Sequence, residues 1–385
     1  MKQKKDSVYR RSFARIDLSN LEYNFDLLSS FIPAGTKKMA VVKADAYGHG
    51  AVPVAKTLHE KADYFGVACI EEALDLRQGG IKKPILILSY THPSQFEDLI
   101  REDLTATVYS FADGKMLGDK AQAMGKKAKV HFAVDTGMGR IGFIPGKEAV
   151  EEIASLSRHP GLCAEGIFSH YALADAPTPE VSQKQREAFD GFLKDLSEKG
   201  VNFAIRHISN SAGTMYLDSA YDMCRFGIAM YGLHPSDERL PDSFDLRPAM
   251  EVVSHVVHTK TVPAGTPIGY GHIYTTPSEK RIATVSIGYA DGFNRNLTGK
   301  GEVLIRGKRA KLVGKVCMDQ IMVDITDIPE VEVADEAVVL GRSGEEEITA
   351  EYLGSLSDSF HYEVICTYLP RVGRIYIKSG KEIEI

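Results

Sequence analysis

A short apolar run from Met39 to Val42 ends in Lys43, which is followed by Ala44-Asp45-Ala46-Tyr47-Gly48-His49-Gly50. A lysine closing a buried strand is badly placed for a structural role. Partial burial lowers the pKa of its amine and frees it to condense with a carbonyl, so the chemistry it suggests is Schiff-base chemistry. The ordinary alternative is a lysine that snorkels to the surface. Further on, Asp135-Thr136-Gly137-Met138-Gly139-Arg140-Ile141-Gly142 reads as a glycine-rich turn after a strand. Arg225 stands inside an apolar run, Met223–Phe226, where a surface ion pair fits poorly. A guanidinium stays protonated and cannot give its proton away. No Walker-type loop is present, and no GxGxxG follows the first strand candidate. Histidines such as His131, His255, His258 and His272 form no HExxH or similar ligand spacing, so no metal is expected.

The elements that position these residues are legible as a rhythm. Eight strand candidates alternate with helical patterns: Met39–Lys43, Tyr64–Ala68, Pro84–Ser89, Thr105–Ser110, Val130–Asp135, Ala164–His170, Ala204–Ser209 and Met223–Phe226. Most are continuous apolar runs, the pattern of strands buried on both faces of a parallel sheet. That size and alternation predict an α/β fold whose N-terminal part is a (β/α)8 TIM barrel, with a doubly wound sheet as the structural alternative. Lys43 would then lie at the barrel mouth, where active sites of this architecture sit. The stretch His234–Pro248 reads as a linker. Beyond it, Glu251–Val262, Arg281–Ile287, Glu302–Ile305, Met322–Ile325 and Ala337–Leu340 predict strands joined by turns, with one helical stretch at Thr349–Leu356. The expected division is a barrel over residues 1–240 and a mainly-β C-terminal domain over 241–385.

Composition narrows the classes. The 385 residues are 44% hydrophobic and 25% charged, a globular balance. Net charge is -6, so a nucleic-acid partner is not expected. The apolar runs are too short to span a bilayer, which argues against a membrane protein. Five scattered cysteines without a CxxC pair, and a polar Met1–Arg11 with a lysine-rich start, lead to the expectation of a cytoplasmic protein without a secretory leader.

The string Val42–Gly50 resembles the cofactor-lysine signature of the alanine racemase family, pyridoxal 5′-phosphate (PLP) enzymes with a barrel and a C-terminal β domain. The resemblance continues in family order at Asp135–Gly142, Phe168-Ser169-His170, His207 with Asn210-Ser211, Arg225–Gly232, Gly269-Tyr270-Gly271, Gly288–Gly292, Val316–Gln320 and Tyr362-Glu363-Val364. It implies that Lys43 holds PLP and is one catalytic base, and that Tyr270 is the second base on the opposite face. Two bases let a proton leave one face of Cα and return on the other. His170 would donate a hydrogen bond to Tyr270, whose phenol needs help to act as a base near neutrality. Arg225 would face the pyridine nitrogen with His207 behind it, which favours racemisation over transamination. The phosphate would meet the hydroxyls of Tyr47, Ser211 and Tyr362 and the backbone N–H groups of Gly227 and Ile228. Phosphate sites after strands seven and eight of such barrels are common, which agrees with Ser211 and Gly227. The substrate carboxylate would meet Arg140 and the N–H of Met318, with Tyr289 and Arg295 near the access corridor. Cys317 is expected to be inert packing, and Asp319 either orients neighbours or ends a strand.

The family resemblance further implies a homodimer in which Tyr270 serves the partner's barrel, and L-/D-alanine interconversion that supplies D-alanine for peptidoglycan. Within the fold the alternatives are a serine or broad-specificity racemase and, less favoured, a non-catalytic PLP-binding homeostasis protein. Three positions depart from the family pattern. Ala133 replaces a lysine that many members carbamylate beside the arginine matching Arg140. A buried guanidinium would then need another partner, so chloride, another anion or a neighbouring side chain is expected there. Ile365 follows Tyr-Glu-Val in place of proline, and Lys315 stands where arginine is common.

Overall fold

The computed structural model describes residues 10–218, 221–236, 244–368 and 370–384. Part of the expected linker, residues 237–243, and the lysine-rich start therefore lie outside the described residues. The first strand, β1 (Ser12–Asp17), precedes every strand expected from sequence. Strands β2 (Lys37–Val41), β3 (Tyr64–Val67), β4 (Ile85–Ile87), β5 (Thr105–Val108), β6 (Ala128–Ala133), β7 (Leu162–Phe168), β8 (Ile205–His207) and β9 (Met223–Phe226) correspond to the eight candidates.

Those eight form one parallel sheet in the order β8-β7-β6-β5-β4-β3-β2-β9. Each lies beside its sequence neighbour, and β2 pairs with β9. Asp222 N–H to Arg206 O (2.9 Å) and Arg225 N–H to Ser209 O (3.1 Å) tie the remaining edge and close the barrel. Buried Val, Ile, Leu and Phe side chains, such as Phe65, Ile85, Val130 and Ile167, account for the unbroken apolar runs.

The other strands are β10 (Met250–Val262), β11 (Pro267–Ile268), β12 (Tyr274–Thr275), β13 (Lys280–Val285), β14 (Glu302–Ile305), β15 (Lys308–Leu312), β16 (Ile321–Asp324), β17 (Glu336–Ser343), β18 (Glu346–Ile348), β19 (Gly373–Lys378) and β20 (Lys381–Ile383). Their large sheet runs β18-β17-β14-β15-β16-β13-β10-β1-β19-β20, and β17 also pairs with β10, so six of its strands close into a second, antiparallel barrel. The long strand β10 makes this closure: its first half pairs with β1 and β17 and its second half with β13.

The chain divides into two compact units: Asn20–Ala46 with Gly50–Arg247, and Met1–Ser19 with Tyr47–His49 and Pro248–Ile385. Among the described residues, β1 pairs with β10 and β19 of the antiparallel sheet and not with the parallel barrel. The helix expected at Thr349–Leu356 forms as Ala350–Ser357, with Thr349 accepting the N–H of Tyr352 at its start.

Candidate active site

Lys43 follows β2 at the C-terminal end of the parallel barrel. After it the backbone turns left-handed at Ala44, Asp45, Ala46 and Tyr47, with φ of 53°, 51°, 54° and 52°. Such a turn costs about 1–2 kcal/mol per non-glycine residue. Its closing bonds are Ala46 N–H to Val42 O and Gly50 N–H to Asp45 O, both 2.9 Å. Glu72 adds two more: one carboxylate oxygen accepts the N–H of Ala44 at 2.6 Å and the other that of Ala68 at 2.7 Å. Asp45 accepts the N–H of Ala51 at 2.7 Å and so starts the next helix. Sequence reasoning missed Glu72, which looks like one more exposed acid in a helix.

The buried Arg225 on β9 organises the barrel mouth. One terminal nitrogen donates to His207 Nδ1 at 2.7 Å. The other donates to His170 Nδ1 at 3.0 Å, Ser169 O at 3.1 Å and Ile208 O at 2.8 Å. None of these bonds uses its Nε–H. Burial pushes the guanidinium down to about 10, still cationic near neutrality. Burial and the Arg225 charge hold His170 and His207 well below the usual imidazole value, so both are neutral acceptors. With Nδ1 accepting, the proton of His170 sits on Nε2. That nitrogen lies 3.4 Å from Asn210 Nδ2, itself a donor, so the Nε2–H is free to donate elsewhere. The ring of Phe168 stacks on His207 at 4.8 Å and lies 5.6 Å below the guanidinium.

Beside Arg225 two short helices start, at Ser211 and at Ile228. Asn210 caps the first by accepting the N–H of Gly213. Ser211 Oγ accepts the Gly227 N–H at 2.9 Å, which leaves its own hydrogen to donate. The expected anion donors Ser211, Gly227 and Ile228 are therefore gathered, with Gly227 N–H already committed to Ser211. Asp135 accepts the N–H groups of Gly137, Met138 and Gly139 at 2.9–3.0 Å and folds the loop that carries Arg140. The structure corrects one expectation here: Arg140 is exposed, so it carries no buried-charge penalty, whereas Ala133 is buried. Among the described residues no acceptor meets the Arg140 guanidinium. Its charge still reaches His170 and Arg225.

The antiparallel unit holds the remaining candidates. Tyr270 occupies a tight turn between Gly269 (φ 74°) and Gly271 (φ 69°), and it is 71% exposed. A Cβ at Gly269 would come within 2.9 Å of the Met322 methyl group, and one at Gly271 within 3.1 Å of Lys315 Nζ. Tyr289 and Met318 sit on adjoining turns: Met318 O accepts the N–H of Ala290, and Cys317 O that of Tyr289. Met318 is 52% exposed. The buried Asp291 fixes these turns by accepting the Gly288 N–H and pairing with Arg11 and Arg371. Arg371 also holds Asp319 at 2.7 Å, so Asp319 orients neighbours rather than merely ending a strand. Burial pushes the Cys317 thiol up, which suits inert packing. The rings of Tyr47 and Tyr362 lie 6.4 Å apart. Gly48 (φ 81°) is required next to them, because a Cβ would meet Ile365 O at 2.4 Å. Ile365 lies inside the helix His361–Cys366, which its N–H lets continue and a proline would break.

The sequence profile of the alanine racemase N-terminal domain matches residues 16–235, and that of the C-terminal domain matches residues 249–376. An alanine racemase of Clostridium novyi is 41% identical over 98% of both chains. The solved alanine racemase of Clostridium difficile superposes with a TM-score of 0.94 at 42% identity, covering 98% of each chain. A solved histidine racemase of Leuconostoc mesenteroides superposes at 0.89 with 28% identity, covering 97% of this chain and all 100% of that one. By its profiles, its full-length relatives and its fold, the chain belongs to the alanine racemase family.

Proposed function

We propose that the protein is an isomerase that interconverts L-alanine and D-alanine with PLP as its cofactor. The observation that carries this reading is the setting of Arg225. Its terminal nitrogens donate to two neutral imidazoles and two carbonyls, and none of these bonds uses the Nε–H, which would be the donor to a ring nitrogen. The donor set fits PLP: Lys43 for the aldehyde carbon, Arg225 for the ring nitrogen, and the Ser211 hydroxyl with Ile228 N–H for the phosphate. Tyr47 and Tyr362 would add hydroxyls to that phosphate. When bound, PLP stabilises negative charge at the Cα of an amino acid held through its nitrogen. A guanidinium withholds its proton from the ring, which keeps that stabilisation modest and favours return of the proton to Cα over transamination.

The chain's own groups divide the proton transfers. Lys43 serves one face of Cα, and the exposed Tyr270 of a second copy serves the other. The free Nε2–H of His170 is a donor suited to that phenol. Arg140 and Met318 N–H would hold the substrate carboxylate. With Ala133 offering neither charge nor acceptor, chloride or another small anion is the partner proposed for Arg140. Kinetics in halide-free buffer check this: racemisation should slow and recover on adding chloride, and unchanged rates discard the anion. Supply of D-alanine for peptidoglycan is the role this activity would serve.

The deciding experiment adds a panel of L-amino acids to PLP-loaded protein in deuterated water, following loss of the α-proton by NMR and product chirality. Exchange with racemisation of alanine alone is expected. Exchange of serine, histidine or other larger side chains would move the assignment to a broader racemase. No exchange with any of them would overturn it.

A further inference from the structure

Beneath Arg225 a line of polar side chains descends through the interior of the parallel barrel. His207 Nδ1 accepts from Arg225, so its proton sits on Nε2 and is donated to His131 Nδ1 at 2.9 Å. The His131 proton then also sits on Nε2, and that atom lies 3.4 Å from Glu165 Oε2 on β7, the longest link of the line. Both atoms are shut from solvent and neither makes a hydrogen bond among the described residues, so their facing approach is a contact at ion-pair distance that the Nε2–H can close. Tyr64, at the start of β3, lies near the same carboxylate, and burial with that charge pushes its phenol up. The Glu165 side chain is 25% exposed, so the line runs from a buried cation to a carboxylate at the edge of solvent.

The barrel is built around this line. A Cβ at Gly166 would come within 2.7 Å of the His131 ring, so only glycine fits beside it. The β6–β7 register also slips between Val130 and His131, a local irregularity at the residue that joins the line. Burial favours a neutral His131, while His131 and Tyr64 hold the Glu165 carboxyl below its usual range. Every group thus has one role: a cation that only donates, two neutral imidazoles that accept and donate, and an anion that only accepts. Other charged or titratable neighbours are Lys129 near Glu165, and Arg140, Cys224 and Tyr171 near Arg225.

We propose that Glu165 is a positioning residue for racemisation, acting through His131 and His207 to fix the imidazole tautomers and the orientation and charge of Arg225. This rests on the reading of Arg225 as the partner of the cofactor ring nitrogen. Arg225 sets the direction of the line from one end; without the carboxylate the His131 Nε2–H loses the anion it faces at the other end, and the two imidazoles are held less firmly against Arg225.

The test begins on the unsubstituted protein with nitrogen-15 NMR of its histidines. His131 and His207 should both be neutral Nε2–H tautomers, with the His131 proton shifted downfield by the carboxylate. Either ring found as the Nδ1–H tautomer or as imidazolium overturns the proposal. In Glu165→Gln the downfield proton should be lost whether or not PLP is bound. Its kcat should fall about tenfold with KM for alanine within about twofold, and more PLP should convert to the amine form per racemisation event, as expected when a charge-assisted bond is lost. Gly166→Ala, which displaces His131 and keeps the carboxylate, should give the same signature. If Arg225→Lys slows racemisation and raises that conversion while both of these variants leave kcat, conversion and spectra unchanged, the role of Glu165 is refuted and Arg225 keeps its own. If Arg225→Lys also changes nothing, the reading of Arg225 fails first.

Discussion

At the residue scale, the site depends on keeping imidazoles neutral beside a guanidinium. His131, His170 and His207 are all held below the usual histidine value by burial. A depressed histidine is neutral in the fold but takes up a proton once unfolded, at about pH 6.5. The unfolded chain therefore binds more protons than the native one as pH falls below that value, and stability drops, by up to about 1.4 kcal/mol per pH unit for each group. Chemical denaturation between pH 8 and pH 5.5 should show this fall. It should be shallower in His131→Asn, and an equal slope in both proteins would place the acid sensitivity elsewhere. Tyr270 makes a kinetic prediction at the same scale. Tyr270→Phe should bind PLP normally yet exchange the α-proton of L-alanine at least a hundredfold more slowly, the order expected for loss of a positioned acid–base group. Exchange at the unsubstituted rate would remove Tyr270 from the chemistry.

At the element scale, the left-handed turn after Lys43 has to be held in place. Glu72, on the helix Ile70–Gln78, does so with two short bonds to backbone N–H groups. Glu72→Ala leaves both donors without that acceptor and should cost about 1–3 kcal/mol. Because the loss falls on the lysine's own turn, PLP affinity should drop as well, read by titration of its absorbance. A variant that melts normally and binds PLP normally would show that the turn holds itself. Elements of this kind mark the limit of what could be read beforehand. Most of the barrel strands were legible because they are largely buried on both faces and read as near-continuous apolar runs. Lys43, Arg225 and His207 were legible because they interrupt such runs in a recognisable string. Strand β1 was missed because its six residues join partners about 240 and 360 positions away, and nothing local announces such pairing. Glu72, His131 and Glu165 were missed for a related reason: each looks locally like a surface acid or a core histidine, and only the closed barrel brings them to the turn and the arginine.

At the scale of the whole molecule, the two proposed bases lie in different units of the chain, Lys43 in the parallel barrel and Tyr270 in the antiparallel unit. The antiparallel unit leaves Tyr270, Ile273, Tyr289 and Met318 exposed in the single chain, an uncommon concentration of large apolar groups on turns. If a second copy covers these turns, each site takes its lysine from one chain and its tyrosine from the other. Mixing Lys43→Ala with Tyr270→Phe protein tests that arrangement directly. Each is inactive alone, but a mixed dimer restores one site with both bases intact and leaves the other with neither. Random exchange of an equal mixture makes about half the dimers mixed, each with one good site of two, so turnover should return to about one quarter of the unsubstituted value. Dilution below the dimer dissociation constant should abolish it again. No recovery after verified subunit exchange would mean that Tyr270 serves its own chain, and full activity of a monomer would lead to the same conclusion.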